Sequence, residues 1–491
     1  MNTPIRRLSI FSLLLLLVLM LNVTWIQGFQ AQAIRDDPLN TRKFSERLSE
    51  ARGPIQVAGE NVAESNNIAE EGKPPRYQRE YVGGGLYTPV VGSFRTYGAS
   101  GIEATENSLL DGSDERLAVR NFRDIITGRE PEGAQVQLTL DPEVQKAGYE
   151  GFQALGGKNG AAVALDPGTG AILGAVSFPS YDANDVSSIT DTEQAVENYT
   201  ELENDPRKPL LNRALNERYP PGSTFKVVTA SAAMEYLDAG PDSTMDAPDN
   251  LDLGRNLPNA TPGGTCNGGQ PDTLAHSIKI SCNTSMANWA IEVGGQNLAD
   301  QAAAYGFHPS AEAAESAEEL TVPMSVTPSY APVETDPNIL GRAGIGQSNV
   351  EATPLQMAMV ASGVANSGEV MRPYVVDTVR DSDLSVVTQT SPQSYSQAVS
   401  ASTAEELTEM MLGVTQEGGS GTNAAIPGVE VAGKTGTAET GEGNDTHNWF
   451  IGFAPADDPQ IAVAVVVEFG GGSGNQLAAP IARQMMEAAV L

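Results

Sequence analysis

Ser223 and Lys226 stand three residues apart in Pro220-Pro221-Gly222-Ser223-Thr224-Phe225-Lys226, at the start of an apolar stretch that runs to Leu237. Pro and Gly end whatever precedes them, and Ser223 is placed to cap the first turn of a new helix. Phe225, Val227, Val228, Ala232 and Met234 give that helix a buried character. Residues three apart on a helix share a face, so the hydroxyl and the amine become neighbours. A lysine in such surroundings is poorly solvated, its pKa falls, and the neutral amine can take the serine's proton. Amides at the helix start beside Ser223 can stabilise developing negative charge. The stretch reads as a serine nucleophile for acyl transfer. A capped core helix with a snorkelling lysine uses the same residues, and Ser-x-x-Lys alone does not separate the two.

Two further short motifs follow in order. Ser281-Cys282-Asn283 precedes an amphipathic stretch with Met286, Trp289, Ala290 and Val293 at helical spacing. Lys434-Thr435-Gly436-Thr437 ends the strand pattern that begins at Val429. Ser-x-Asn carries little information by itself. In a chain this poor in lysine Lys-Thr-Gly is rare by chance, and the ordered set of three is specific.

Ser-x-x-Lys, Ser-x-Asn and Lys-Thr-Gly in this order resemble the signature of penicillin-binding proteins and serine β-lactamases. Asn212-Arg213-Ala214, Gly344-Ile345-Gly346-Gln347, Thr353-Pro354-Leu355-Gln356, Met371-Arg372-Pro373-Tyr374 and Trp449-Phe450-Ile451-Gly452 extend the likeness to the transpeptidases. Arg52-Gly53-x-Ile55 and Gly101-Ile102-Glu103 resemble the N-terminal module of class B members. The resemblance implies a D,D-transpeptidase that cross-links peptidoglycan stem peptides and is acylated by β-lactam antibiotics. Ser223 would attack the D-Ala-D-Ala carbonyl, with Lys226 as base. Ser281 would pass a proton to the leaving amine, and Asn283 would orient Lys226 and the substrate amide. Lys434 would supply charge near the terminal carboxylate, with Thr435, Gly436 and Thr437 binding substrate. The oxyanion hole would be the backbone N–H groups of Ser223 and Thr437. Trp449 is read as core packing, Gln347 as shaping the site and His447 as structural.

The elements that must position these groups begin near Gly133. Val136–Leu140 alternates like a strand, and Asp141-Pro142 caps a helix running to about Leu155. Residues 161–165 and 171–177 flank the turn Asp166-Pro167-Gly168-Thr169-Gly170 as a hairpin. Residues 240–275 read as a long loop. Ser402-Thr403-Ala404-Glu405 has capping-box spacing before a helix to about Glu417. Strand patterns follow at 429–437, 448–454 and 461–469, then a helix over 478–490 with Pro480 in its first turn. The expected fold is α+β, a penicillin-binding and serine β-lactamase-like transpeptidase domain with an antiparallel sheet flanked by helices. A membrane anchor and a small N-terminal α+β module precede it.

The composition narrows the partners. Twenty-nine basic against 62 acidic residues give a net charge of −33, which repels phosphate backbones and argues against nucleic acid. A surface adapted to high salt or high pH and a generally acidic proteome both account for it. The run Leu8–Ile26 is long and apolar enough to span a membrane, with Arg6 and Arg7 before it. The positive-inside rule then puts the N-terminus in the cytoplasm and the catalytic domain outside, at the plasma membrane. A cleaved signal with Ala31-Gln32-Ala33 as its processing site is the rival reading. The expected plan is a cytoplasmic tail (1–7), a transmembrane helix (8–28), a non-catalytic pedestal or dimerisation-type module (29–132) and the transpeptidase domain (133–491). Cys266 and Cys282 fit an oxidising compartment and a disulfide closing a loop of about 15 residues, with two free thiols as the alternative. His276, His308 and His447 are too scattered for a zinc site, so no metal and no cofactor are expected.

Two other functions stay in view. A D,D-carboxypeptidase or β-lactamase of the same superfamily shares the three motifs, but no Glu-x-x-Leu-Asn lies between Ser281 and Lys434. A non-enzymatic β-lactam sensor would need a cytoplasmic signalling part. A cell-division scaffold could coexist with catalysis, and divisome or elongation proteins are candidate partners beside the donor peptide and an amine acceptor.

Overall fold

The computed structural model describes residues 2–25, 48–118, 120, 132–316, 320–440 and 445–491. The Ala31-Gln32-Ala33 motif, residues 26–28 of the expected anchor and the rest of 26–47 lie outside them. Helix α1 (Asn2–Trp25) contains 21 consecutive residues, Ile5–Trp25, apolar enough to cross a membrane and exposed among the described residues. At 1.5 Å per residue they span roughly 30 Å, one hydrocarbon core. The helix already includes Arg6 and Arg7, so the expected tail and anchor form one continuous element.

The N-terminal module is built on β1 (Ile55–Val57), β2 (Glu60–Asn67), β3 (Tyr77–Tyr81) and the short helix α2 (Gly101–Thr105). Strand β4 (Gln135–Leu138), expected to open the catalytic half, pairs in parallel with β1. Buried beside these strands, Glu103 of α2 accepts from Arg52 Nη2 at 2.8 Å and from Arg79 Nε at 2.6 Å. Tyr81 donates to the same carboxylate at 3.3 Å, and the Arg52 guanidinium lies 4.1 Å from the Phe94 ring centre. Burial pushes the Glu103 carboxyl up, but the two guanidiniums more than offset it, and the group ends below its ordinary value.

Helix α3 (Pro142–Ala154) follows, capped as expected by Asp141, which accepts from the backbone of Glu143 and Val144. Strands β5 (Gly160–Leu165) and β6 (Ile172–Phe178) form the expected hairpin. Helix α4 (Lys226–Leu237) comes next. Residues 240–275 are not one loop: β7 (Asn250–Asp252) and β8 (Asn256–Pro258) pair, as do residues 244–245 with 272–273. Then come α5 (Leu274–Ile280), α6 (Asn283–Val293), α7 (Pro337–Ala343) and α8 (Pro354–Ala365). Strands β9 (Val376–Arg380) and β10 (Val386–Gln389) return to the first sheet, whose order is β10-β9-β4-β1-β2-β3.

The chain ends on α9 (Ala401–Thr415), β11 (Ala432–Glu439), β12 (Thr446–Ala454), β13 (Ile461–Val467) and α10 (Gly474–Val490). The second sheet is antiparallel throughout, in the order β11-β12-β13-β5-β6. Every residue of Ile461-Ala462-Val463-Ala464-Val465-Val466-Val467 is buried because both faces are covered. Val463 and Val465 pack with Phe152 of α3 and Met485 of α10. Ala464 and Val466 belong to the larger core with Leu355 and Met359 of α8. Each such aliphatic side chain contributes roughly 1.5–3 kcal/mol on burial.

Among the boundaries that differ from expectation, three involve a motif or a helix cap. Strand β11 starts at Ala432 rather than Val429, whose backbone bridges to Ile426, and it continues to Glu439, so Lys434-Thr435-Gly436 lies inside it. Ser400, not Ser402, caps α9 by accepting from Thr403 N–H. A reciprocal Ser473–Gln476 cap starts α10 at Gly474, which moves Pro480 out of the first turn.

Candidate active site

Pro221 and Gly222 do not deliver Ser223 as a helix cap. Residues Gly222–Phe225 form a single 3₁₀ turn that leads into α4 at Lys226, and Thr224 Oγ1 instead donates to Pro221 O at 2.7 Å. In a 3₁₀ turn residues three apart eclipse, which aligns Ser223 with Lys226 more directly than an α-turn would. The Ser223 hydroxyl makes no hydrogen bond with a described residue. Gly222 has φ 54°, and a Cβ there would stand 2.9 Å from Thr437 O. A Cβ at Gly436 would meet Pro221 O at 3.0 Å, so two glycines let β11 lie directly against the nucleophile turn. Trp449 of β12 does more than fill the core: its Nε1 donates to Pro220 O at 3.0 Å.

Ser281 closes α5 in the left-handed conformation (φ 63°), and Asn283 opens α6 directly after it. Between them Cys282 is fully buried and bonded to Cys266, so the two cysteines are not free thiols. Asn259 Oδ1 accepts from the backbone N–H of Asn283 at 3.0 Å and of Thr284 at 3.1 Å. Asn283 Nδ2 donates to Pro258 O at 2.9 Å, which orients its amide oxygen inward.

Two buried amines converge on Ser281. Lys226 Nζ donates to Asn283 Oδ1 at 2.7 Å and to Ser281 O at 2.9 Å, and lies 3.3 Å from Ser281 Oγ. Lys434 Nζ is 2.8 Å from the same Oγ and 3.0 Å from Thr435 O. Both lysines are fully buried, and neither forms an ion pair with a carboxylate among the described residues. Burial, and then the neighbouring Lys434 charge, drives the Lys226 amine well below its ordinary value. Burial alone brings Lys434 down to about 7. At neutral pH the pair cannot hold its full charge, and the Ser281 hydroxyl can donate to whichever amine is neutral.

Ser223, Ser281, Asn283, Thr435, Gly436 and Thr437 line one cleft of about 880 Å³, with Lys226 and Lys434 beneath its floor. Gln347 also lines it. Sequence reasoning missed Ser420, whose Oγ accepts from Thr435 Oγ1 at 3.0 Å, and Asn259. It also missed Glu468, which accepts from Arg213 Nε at 2.8 Å and Tyr219 OH at 2.6 Å and so fixes the segment leading to Ser223. His447 is buried with its ring against Tyr219 and Phe469, away from the amines.

The penicillin-binding protein transpeptidase domain family matches residues 160–487, and the penicillin-binding protein A dimerisation domain matches residues 52–136. The chain is 38% identical to the peptidoglycan D,D-transpeptidase PbpA of Mycolicibacterium smegmatis, over 100% of this chain and 99% of that protein. It is likewise 38% identical to the PbpA of Mycobacterium tuberculosis H37Rv over the same shares. Among solved structures, the ceftriaxone acyl-enzyme complex of penicillin-binding protein A from M. tuberculosis superposes with a TM-score of 0.84 at 37% identity, covering 91% of this chain and all of that one. The penicillin G acyl-enzyme complex of the same protein gives 0.82 at 36% identity, covering 90% of this chain and all of that one. This chain belongs to the penicillin-binding transpeptidase family, class B.

Proposed function

We propose that this class B penicillin-binding protein is a peptidoglycan D,D-transpeptidase working through a Ser223 acyl-enzyme. The observation that carries the assignment of roles is the pair of buried, carboxylate-free amines that meet at Ser281 Oγ below the Ser223 cleft. Neutral Lys226 takes the Ser223 proton as Oγ bonds to the carbonyl carbon of the penultimate D-Ala of a donor stem peptide. The oxyanion accepts from the backbone N–H groups of Ser223 and Thr437, which are fixed before the reaction begins. The C–N bond then breaks, the leaving D-Ala nitrogen takes a proton relayed by Ser281, and the ester remains. Thr435 and Thr437 hold the donor's terminal carboxylate beside Lys434, and Asn283 holds Lys226 and the donor amide. An acceptor amine attacks the ester, restores Ser223 and closes the cross-link. A β-lactam enters the same first step, and its tethered leaving group blocks the second.

In this reading residues 133–491 carry the reaction and residues 29–132 are a non-catalytic module. The α1 helix anchors the chain with Arg6 and Arg7 on the cytoplasmic side and the cleft outside. The peptidoglycan donor and acceptor are its substrates, and division or elongation proteins are its partners. Intact-mass analysis with benzylpenicillin, followed by peptide mapping, tests the site. One stable adduct on Ser223 is expected. An adduct on another residue refutes the assignment, and an adduct lost within seconds favours a β-lactamase.

A further inference from the structure

The walls of the reaction cleft carry an arrangement of charge that the chemistry at Ser223 does not use. In a chain with 29 basic and 62 acidic residues, a surface lined at random would show about two acids for each base. Among the described residues, the ionisable side chains lining this cleft are Arg255, Arg342 and Glu439, which reverses that ratio. The arginines come from the β7–β8 turn and from α7, while Glu439 ends β11. Arg342 sits in the last turn of α7, where a cation is favoured by the helix dipole. Its Nη2 donates to the carbonyl oxygen of Arg255 at 2.6 Å, tying α7 to the turn between β7 and β8. Neither guanidinium forms an ion pair with a carboxylate of a described residue. Arginine keeps its charge at any working pH, whereas burial lowers the pKa of both lysines under the floor. The lasting positive charge of the cleft is therefore on Arg255 and Arg342.

We propose that Arg255 and Arg342 form a docking site for a side-chain carboxylate of the donor peptide, upstream of the bond that Ser223 attacks. The inference rests on the transpeptidase reading. The path is set by Asn283, whose amide donates to Pro258 O, three residues after Arg255 on the same hairpin. In this proposal a peptide whose last amide meets Asn283 runs its preceding residues past Pro258 and the turn that carries Arg255. Charge-assisted hydrogen bonds from a planar guanidinium select a carboxylate over the isosteric carboxamide. On a protein of net charge −33, a local cationic site also gives an anionic donor a place to bind that the surrounding surface does not.

The test uses the full chain in detergent and two synthetic donors ending in D-Ala-D-Ala. They are identical except that the side chain two residues before the scissile bond ends in a carboxylate or a carboxamide. D-Ala release is measured for the wild type, Arg255→Gln/Arg342→Gln and Arg255→Lys/Arg342→Lys, with benzylpenicillin labelling of Ser223 confirming a folded cleft in each. The wild type should prefer the carboxylate donor about tenfold in kcat/KM, mainly through KM, and the preference should weaken with added salt. The Gln pair should bring that preference to near unity, and the Lys pair should retain part of it. A preference unchanged in the Gln pair, or absent in the wild type, overturns the arginine site while leaving the transpeptidase reading intact. A wild type that is labelled by penicillin yet releases D-Ala from neither donor overturns the transpeptidase reading, and this inference with it.

Discussion

Two buried clusters of charge in this molecule are built on opposite plans. In the N-terminal module Arg52 and Arg79 flank the Glu103 carboxylate, with Tyr81 donating to it as well. Every ion there has a partner of opposite sign, and the carboxyl is held below its ordinary value. Under the cleft Lys226 and Lys434 share only neutral acceptors: Asn283 Oδ1, the Ser281 oxygens and Thr435 O. No carboxylate of a described residue pairs there with a second positive charge, and burial lowers both amines. The first arrangement fixes structure and holds its carboxyl in the charged form. The second trades that stability for an amine able to accept a proton.

The difference can be broken at its most sensitive point first. Ser223→Ala removes the atom that becomes acylated, and covalent labelling by penicillin should vanish while the melting temperature holds. Lys226→Arg keeps the charge but never deprotonates, so acylation should fall by ~10²–10⁴, read by stopped-flow or competition labelling. Near-normal acylation in this variant would mean that another group is the base. Glu103→Gln tests the compensated cluster. It strands two buried guanidiniums and should cost about 3–5 kcal/mol of stability, with the acylation rate of the folded protein kept. If that rate fell with stability unchanged, the two clusters would not be independent. Reducing the Cys266–Cys282 bond should cost roughly 3 kcal/mol and also slow acylation, because it loosens the turn that aims Ser281 and Asn283. A rate unaffected by reduction would mean that the hydrogen bonds to Asn259 and Pro258 hold that turn without the bridge.

The sequence carried the uncompensated cluster more clearly than the compensated one. Ser223, Lys226, Ser281, Asn283 and Lys434 sit in short motifs whose spacing is local chemistry, and their order along the chain marks the set. Their neighbours are set by distant packing. Trp449 reaches Pro220 across 229 residues and Arg213 reaches Glu468 across 255, and no local pattern encodes either pair. Arg52 and Glu103 stood in recognisable short motifs, but their meeting, 51 residues apart, depends on how α2 packs on β1 and β3. The strands of the second sheet were legible because Ile461-Ala462-Val463-Ala464-Val465-Val466-Val467 is apolar throughout. The first sheet was not, because residues 376–389 complete a sheet begun more than 300 residues earlier. Ser223 was read as a helix cap, but the 3₁₀ turn frees its hydroxyl. Such a departure from local preference falls where the reaction needs it.

The pH dependence of benzylpenicillin acylation tests the central claim most directly. Burial disfavours the ammonium form, so the fraction of neutral base grows as pH rises through the lowered pKa values and is lost below them. The second-order acylation rate should climb with pH through a limb centred well below the ordinary lysine value and level off above it. A limb centred near 10, the ordinary lysine value, would show that the buried amines keep their charge and that Lys226 is not the neutral base.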